Sequence, residues 1–254
     1  MIQFPNELTS IHEVPFVIWC YWEGAAMDNN RLESFNLLKA HIEVPICLLT
    51  PQNIHHFELA EHPFHAALPY LSIVHRSDYI RAYMMHHYGG GWHDIKATRM
   101  SFAECWNAFE DPTVYLIGRP ESYNGAAKVY NEAGLYMPDY WADLVSVPAW
   151  IARGHSPLSL QIISQMEAYL DTQLPILIKH PAKHPREKYI APKHLLHYLF
   201  IRIKHFYSKR NPYYPIPWTL FGNIYHPAVY AFREHVSDKL PQDSIKNAGI
   251  YHRS

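Results

Sequence analysis

The stretch from Ser77 to Thr98, Ser-Asp-Tyr-Ile-Arg-Ala-Tyr-Met-Met-His-His-Tyr-Gly-Gly-Gly-Trp-His-Asp-Ile-Lys-Ala-Thr, constrains the fold more than any other part of the chain. Ser77 reads as a helix N-cap and Asp78 as a carboxylate that the helix dipole favours. Asp78 and Arg81 are three apart, so a carboxylate and a guanidinium leave the same helical face. Gly89, Gly90 and Gly91 end the helix and let the backbone turn sharply and come close to another group, before a strand opens at Trp92. The period of two puts Trp92, Asp94 and Lys96 on one side of that strand and His93 and Ile95 on the other. A helix that feeds a strand in this way is half of a β-α-β unit.

Other segments supply the rest of such units. Phe16 to Tyr21 is an apolar strand, Asn30 to His41 has helical spacing in Leu32, Phe35, Leu38 and Lys39, and Pro45 to Leu49 is a second strand. Leu71 to Val74 reads as a strand before the helix from Ser77, and further strands fall near Val114 to Ile117 and Leu144 to Val147. The predicted fold class is α/β, a doubly wound Rossmann-like sheet flanked by helices, with ligands beyond the carboxyl ends of the strands. Asp94 and Lys96 lie at such an end. Ser159 to Leu170 is a helix, and the Pro-rich pieces Pro181 to Pro192 and Pro212 to Pro217 are loops placed to close over a ligand. The 254 residues suit one domain with an irregular, mainly helical C-terminal part.

Composition excludes several classes. A net charge of −1 with no long Lys or Arg run argues against a nucleic-acid binder. The 3 cysteines, Cys20, Cys47 and Cys105, are far apart in apolar contexts and read as buried thiols of a reducing compartment. No basic segment followed by an apolar core opens the chain, and no run reaches about eighteen apolar residues, so the expected location is cytoplasmic. The 19 histidines include adjacent pairs that point to different faces, and no His-Glu-x-x-His, Gly-x-Ser-x-Gly or Gly-Lys-Ser motif occurs.

The pattern Ser77-Asp78, two residues, Arg81, then Tyr-Gly-Gly and an aromatic-x-Asp strand resembles the sugar-binding region of glycosyltransferases related to capsular polysaccharide synthesis proteins. Yeast initiating mannosyltransferases and the glucosyltransferase domains of clostridial toxins belong to the same wider group. The resemblance implies a GT-A-type sheet over residues 1–160, which hold a nucleotide-sugar donor, and acceptor-side and closing segments over 161–254. It implies that Asp78 and Arg81 grip the donor sugar and diphosphate and that Asp94 opens an Asp-x-Asp motif whose second acid is here Lys96. Gly90 and Gly91 belong to the same donor-binding stretch. Val14 to Gly24 resembles the family's first strand and loop, so Trp19, Tyr21 or Trp22 would stack on or border the base. Ala149 to Pro157 resembles a later strand and Gly-His-Pro turn. Gly249 to Ser254 resembles the closing segment, which returns a His or Ser, here His252, to the diphosphate and metal.

The chemistry leaves two arrangements open. In one, Mn2+ or Mg2+ is held by Asp94 and His252 together with phosphate oxygens. In the other, Lys96 and Arg81 set two positive charges against the diphosphate in place of the ion, with Asp94 bonded to ribose or sugar hydroxyls. Asp94, Arg81 and Lys96 are the residues assigned to catalysis, and no base is assigned. Asp139 and Asp143 are the candidates to face the acceptor.

Bland alternatives stand beside these. Asp78 and Arg81 can be a surface ion pair, and Trp19, Tyr21 and Trp22 core aromatics. His194 to Arg210 mixes apolar and aromatic residues with Arg202, Lys204, Lys209 and Arg210. It reads either as an interfacial helix on the cytoplasmic face of an anionic inner membrane or as a half-buried helix with a basic outer face. The expected function is transfer of a sugar, with retention, from a nucleotide sugar to a glycan or lipid-linked acceptor in surface polysaccharide synthesis. The alternative is a nucleotide-sugar-binding protein that has lost turnover.

Overall fold

A computed structural model of the chain describes residues 8–131 and 133–242. A short hairpin pairs β1 (Ser10–Ile11) with β2 (Val14–Pro15). Then follow β3 (Ile18–Tyr21), α1 (Asn29–His41), β4 (Ile46–Leu49), α2 (Ile73–His87) and β5 (Gly90–His93). The second half adds β6 (Leu116–Pro120), β7 (Val145–Ala152), α3 (Pro157–Lys179), α4 (Leu195–Tyr207), α5 (Leu220–Ala231) and β8 (Val236–Ser237).

Six strands form one sheet in the order β4-β3-β5-β7-β6-β8. β4, β3 and β5 are parallel, β7 runs antiparallel to both β5 and β6, and β6 and β8 are parallel. The sheet is therefore mixed rather than uniformly doubly wound. The chain leaves β3 to build β4 on one side and returns to build β5 on the other, so the strand order reverses between β3 and β5. Such a reversal opens a crevice at the carboxyl ends of the two strands.

Period-two alternation divides the β3 side chains between two cores. Trp19 joins the face covered by α2, α3 and α5, and Ile18 and Cys20 join the face covered by α1 and the 3-10 turn Ala103–Glu110. α1 begins where the Asp28 carboxylate accepts a hydrogen bond from the Arg31 N–H at 2.7 Å.

The predicted start of α2 is corrected. Leu71 to Val74 is no strand, and Ser77 is no cap: the cap is Ser72, five residues earlier, and the helix begins at Ile73. Asp78 consequently sits in the second turn, away from the helix end. The cause is tertiary. The Tyr214 hydroxyl accepts from the Ser72 N–H at 3.0 Å and bonds the His75 ring at 2.9 Å, while His75 Nε2 meets the Pro217 carbonyl at 3.0 Å. Burial holds His75 neutral, its pKa pushed down to about 4.

The three glycines do turn the chain sharply, with φ +71° at Gly89 and +85° at Gly90. Their close approaches are to the protein itself. A Cβ on Gly89 would sit 2.6 Å from the Gly154 backbone nitrogen, and one on Gly91 would sit 2.4 Å from Ile18 Cδ1. Gly90 and Gly91 are thus the first residues of β5, set by sheet packing.

Candidate functional site

A cavity of about 540 Å³ opens at the carboxyl ends of β3 and β5, in the crevice between them. Tyr21, Trp22 and Glu23 enter it from the end of β3, Asp78 and Arg81 from α2, and Trp92, Asp94 and Ile95 from β5 and its continuation. Pro185, Arg186, Trp218 and Phe221 close the opposite wall.

Arg81 organises this cavity. Its Nη2 donates to Asp94 Oδ1 at 3.0 Å and lies 3.9 Å from Asp78 Oδ1. The guanidinium lies between the rings of Trp92 and Phe221, 5.0 Å from each centroid, a geometry that favours a cation on aromatic faces. Trp92 in turn stacks on Trp150 of β7 and donates its indole N–H to Asp94 Oδ1 at 3.1 Å. Lys96 Nζ stands 3.6 Å from the other Asp94 oxygen. The paired strand ends at His93 and the chain bends at Ile95, so the expected period-two sidedness does not carry past Asp94: Ile95, not Lys96, lines the cavity beside it.

The two carboxylates around Arg81 differ in their protonation. Burial disfavours charge on Asp94, but Arg81, Lys96 and the Trp92 N–H together outweigh it and hold the carboxyl below its ordinary range. Burial wins at Asp78: its pKa is pushed up to about 7, with Arg81 opposing the rise and Asp94 adding to it. One guanidinium therefore serves one firmly ionised carboxylate and one that titrates near neutrality. Arg81 Nε is buried and has no hydrogen-bond partner among the described residues. An unsatisfied buried donor of this kind is costly.

The rim carries further charge. Glu23 pairs with Arg76 at 2.7 Å and accepts from the Tyr21 hydroxyl at 2.6 Å. Arg31 lies 5.2 Å from the Trp22 ring centroid and donates to the Ile95 carbonyl at 3.1 Å. Arg186 and Lys188 approach the Trp218 ring at 5.3 and 5.1 Å.

Of the residues expected at the site, Tyr21, Trp22, Asp78, Arg81 and Asp94 come together, and Lys96 joins through Asp94. Trp19 is corrected to a core residue: it is buried and donates its indole N–H to the Gly89 carbonyl at 2.8 Å. Gly90 and Gly91 are buried in the sheet and do not line the cavity. Asp139 and Asp143 are both exposed, at the cap and the last residue of the 3-10 turn Tyr140–Asp143, and neither lines the cavity. His252 and the segment Gly249 to Ser254 lie outside the described residues.

Sequence reasoning missed Arg31, Glu23 and Phe221, and found Arg186 and Trp218 only as members of or neighbours to loops placed to close over a ligand. Strand position was the unused signal separating Trp19 from Trp22. A residue inside β3 alternates into a core, whereas a residue past its end faces the crevice.

Among the described residues no three His, Cys, Asp or Glu side chains converge as a metal site. Both Asp94 oxygens face cations, Oδ1 the Arg81 guanidinium at 3.0 Å and Oδ2 the Lys96 ammonium at 3.6 Å. Comparison of the chain with protein-family models, curated proteins and solved structures returned no match.

Proposed function

We propose that the chain is a glycosyltransferase of the GT-A type that takes a sugar from a nucleotide-sugar donor to an acceptor hydroxyl. The observation that carries this reading is Arg81, which lines the cavity at the strand-order reversal and is fixed there by Asp94 and two aromatic faces. A diphosphate leaving group gains negative charge as the glycosidic bond breaks, and preorganised positive charge lowers that barrier most. Arg81, Arg31 and Arg186 converge on one cavity and are the groups assigned to the diphosphate. Tyr21 and Trp22 border the base, and the protonatable Asp78 offers a donor or an acceptor to sugar hydroxyls. No step is routed through a metal.

The test is thermal stability across a panel of nucleotide sugars, each with manganese and with chelator. Binding to the native state alone raises the midpoint. The expected result is a shift for one donor that survives chelator and disappears in Arg81→Met. A shift that requires manganese would overturn the metal-free arrangement, and no shift with any donor would overturn the transferase reading. In Lys96→Asp, which restores the second acid, the shift should come to depend on manganese.

A second reading, a donor-binding protein without turnover, is favoured by one observation: Lys96 occupies the position of the second acid and holds an Asp94 oxygen. Slow nucleotide release from the bound donor separates the two. An enzyme releases it, and a binding protein does not.

A further inference from the structure

α4 has its apolar side outward. Its contact with the body of the protein is a stripe one helical turn apart, Ile201 and His205 buried and His197 half-buried before them. On the opposite side Leu196, Leu199, Phe200, Ile203, Phe206 and Tyr207 cover an arc of roughly 120° on a helical wheel. All six are exposed, Phe206 and Tyr207 at 81% each. An uninterrupted apolar face of this size marks a surface that meets something other than water.

Charge identifies what that is. No Asp or Glu occurs between Glu187 and Glu234, while Lys188, Lys193, Arg202, Lys204, Lys209 and Arg210 fall in that interval. On the helical wheel Arg202 and Lys204 flank the apolar arc on its two sides. Arg202 and Arg210 line a shallow groove of about 560 Å³ with Ile203, Phe206, Tyr207 and Pro212. Cationic borders around an outward apolar arc match a surface that is anionic at headgroup level and apolar beneath. None of the described helices is long and apolar enough to cross a membrane. Such a helix lies in the interface plane.

We propose that α4 docks the protein on an anionic lipid bilayer. The residues that lead into and out of α4 connect this surface to the cavity. Tyr189 pairs with Pro217, and Pro185 and Arg186 before it and Trp218 after it line the cavity wall. The buried Glu187 carboxylate fixes the base, accepting from the Lys183 N–H at 3.1 Å and the Asn211 N–H at 3.0 Å. Docking would therefore tie one wall of the cavity to the membrane surface. If the transferase reading holds, the substrate class this favours is an acceptor hydroxyl carried by a lipid.

The experiment is co-sedimentation of the full chain with vesicles of phosphatidylcholine alone and of phosphatidylcholine with phosphatidylglycerol. It needs no donor, so its result is independent of the transferase reading. The expected outcome is sedimentation with phosphatidylglycerol vesicles that weakens as salt rises. The double variant Leu199→Glu, Phe206→Glu should lose it. Arg202→Gln and Lys204→Gln should each lower the partition about fivefold, and neither side chain belongs to the core, so folding should be preserved. Absence of sedimentation with phosphatidylglycerol vesicles would overturn the proposal, as would equal binding to both compositions. A dimer in solution that Leu199→Glu, Phe206→Glu dissolves would overturn it too, by making a second copy the occupant.

Discussion

α2 and α4 are helices of similar length, 15 and 13 residues, and each inverts the usual placement of its side chains. α2 is buried without interruption from Asp78 to His86 and carries a carboxylate, a guanidinium and an imidazole inside. α4 sends most of its leucines and aromatics into solvent. A buried charge and an exposed apolar arc are both unfavourable in an isolated chain, and each becomes intelligible when a second molecule completes it. The partner proposed for α2 is polar and small enough for the cavity that opens at the strand ends. The one proposed for α4 is broad, apolar and bordered by negative charge.

The contrast breaks most readily at Arg81. Arg81→Met leaves Asp78 and Asp94 without their shared cation, and we expect a loss of about 3–5 kcal/mol in denaturant titration, the usual cost of orphaning a buried charge. Asp94→Asn keeps the shape and should cost about 1–3 kcal/mol, with turnover abolished. If Asp94→Asn transfers at the wild-type rate, the central assignment fails.

Titration sharpens the comparison further. Asp78 has a folded pKa raised to about 7, so the native state keeps a proton that the unfolded chain has released. Its contribution therefore declines as pH rises from about 4 to about 7, by at most about 1.4 kcal/mol per pH unit. Asp94 acts in the opposite sense. Its folded pKa is depressed, so its contribution is present above the ordinary carboxylate value and lost as pH falls below it. Denaturant midpoints of wild type and Asp78→Asn between pH 4 and 8 check this: the variant should lack the decline. The smallest effect belongs to α4, where Phe206→Glu should change stability by less than about 0.5 kcal/mol. A larger loss would show that this arc supports the fold itself.

The first half of the fold was legible because its signals are local. α1 was placed to within a residue of its start, and β3 and β4 followed from short apolar runs bounded by turns. The start of α2 was not legible, because Ser77-Asp78 imitates a cap and Ile73-Val74 imitates a strand. Tyr214, which settles the matter at Ser72, lies 142 residues away. The segment past β5 that carries Asp94 and the helix that carries Arg81 were readable as neighbours, and the cavity opens there. Phe221 and Arg186 were not, because α5 and the Pro-rich loop reach the cavity through tertiary packing that no periodicity records. The antiparallel course of β7 was hidden for the same reason, since a buried strand reads alike in either direction.

Glu187 has a consequence for how this molecule can vary. By accepting from the Asn211 N–H after α4, this one carboxylate, set before α4, brings the two ends of residues 188–210 together. Loop entropy grows only logarithmically with length, so the exposed stretches of this segment can vary in length at little cost, while Ile201 and His205 tie α4 to the body. The chain thus joins two parts of different character: a cleft at the ends of the sheet strands, and a helix with an outward apolar face whose flanking ends meet at Glu187 and Asn211.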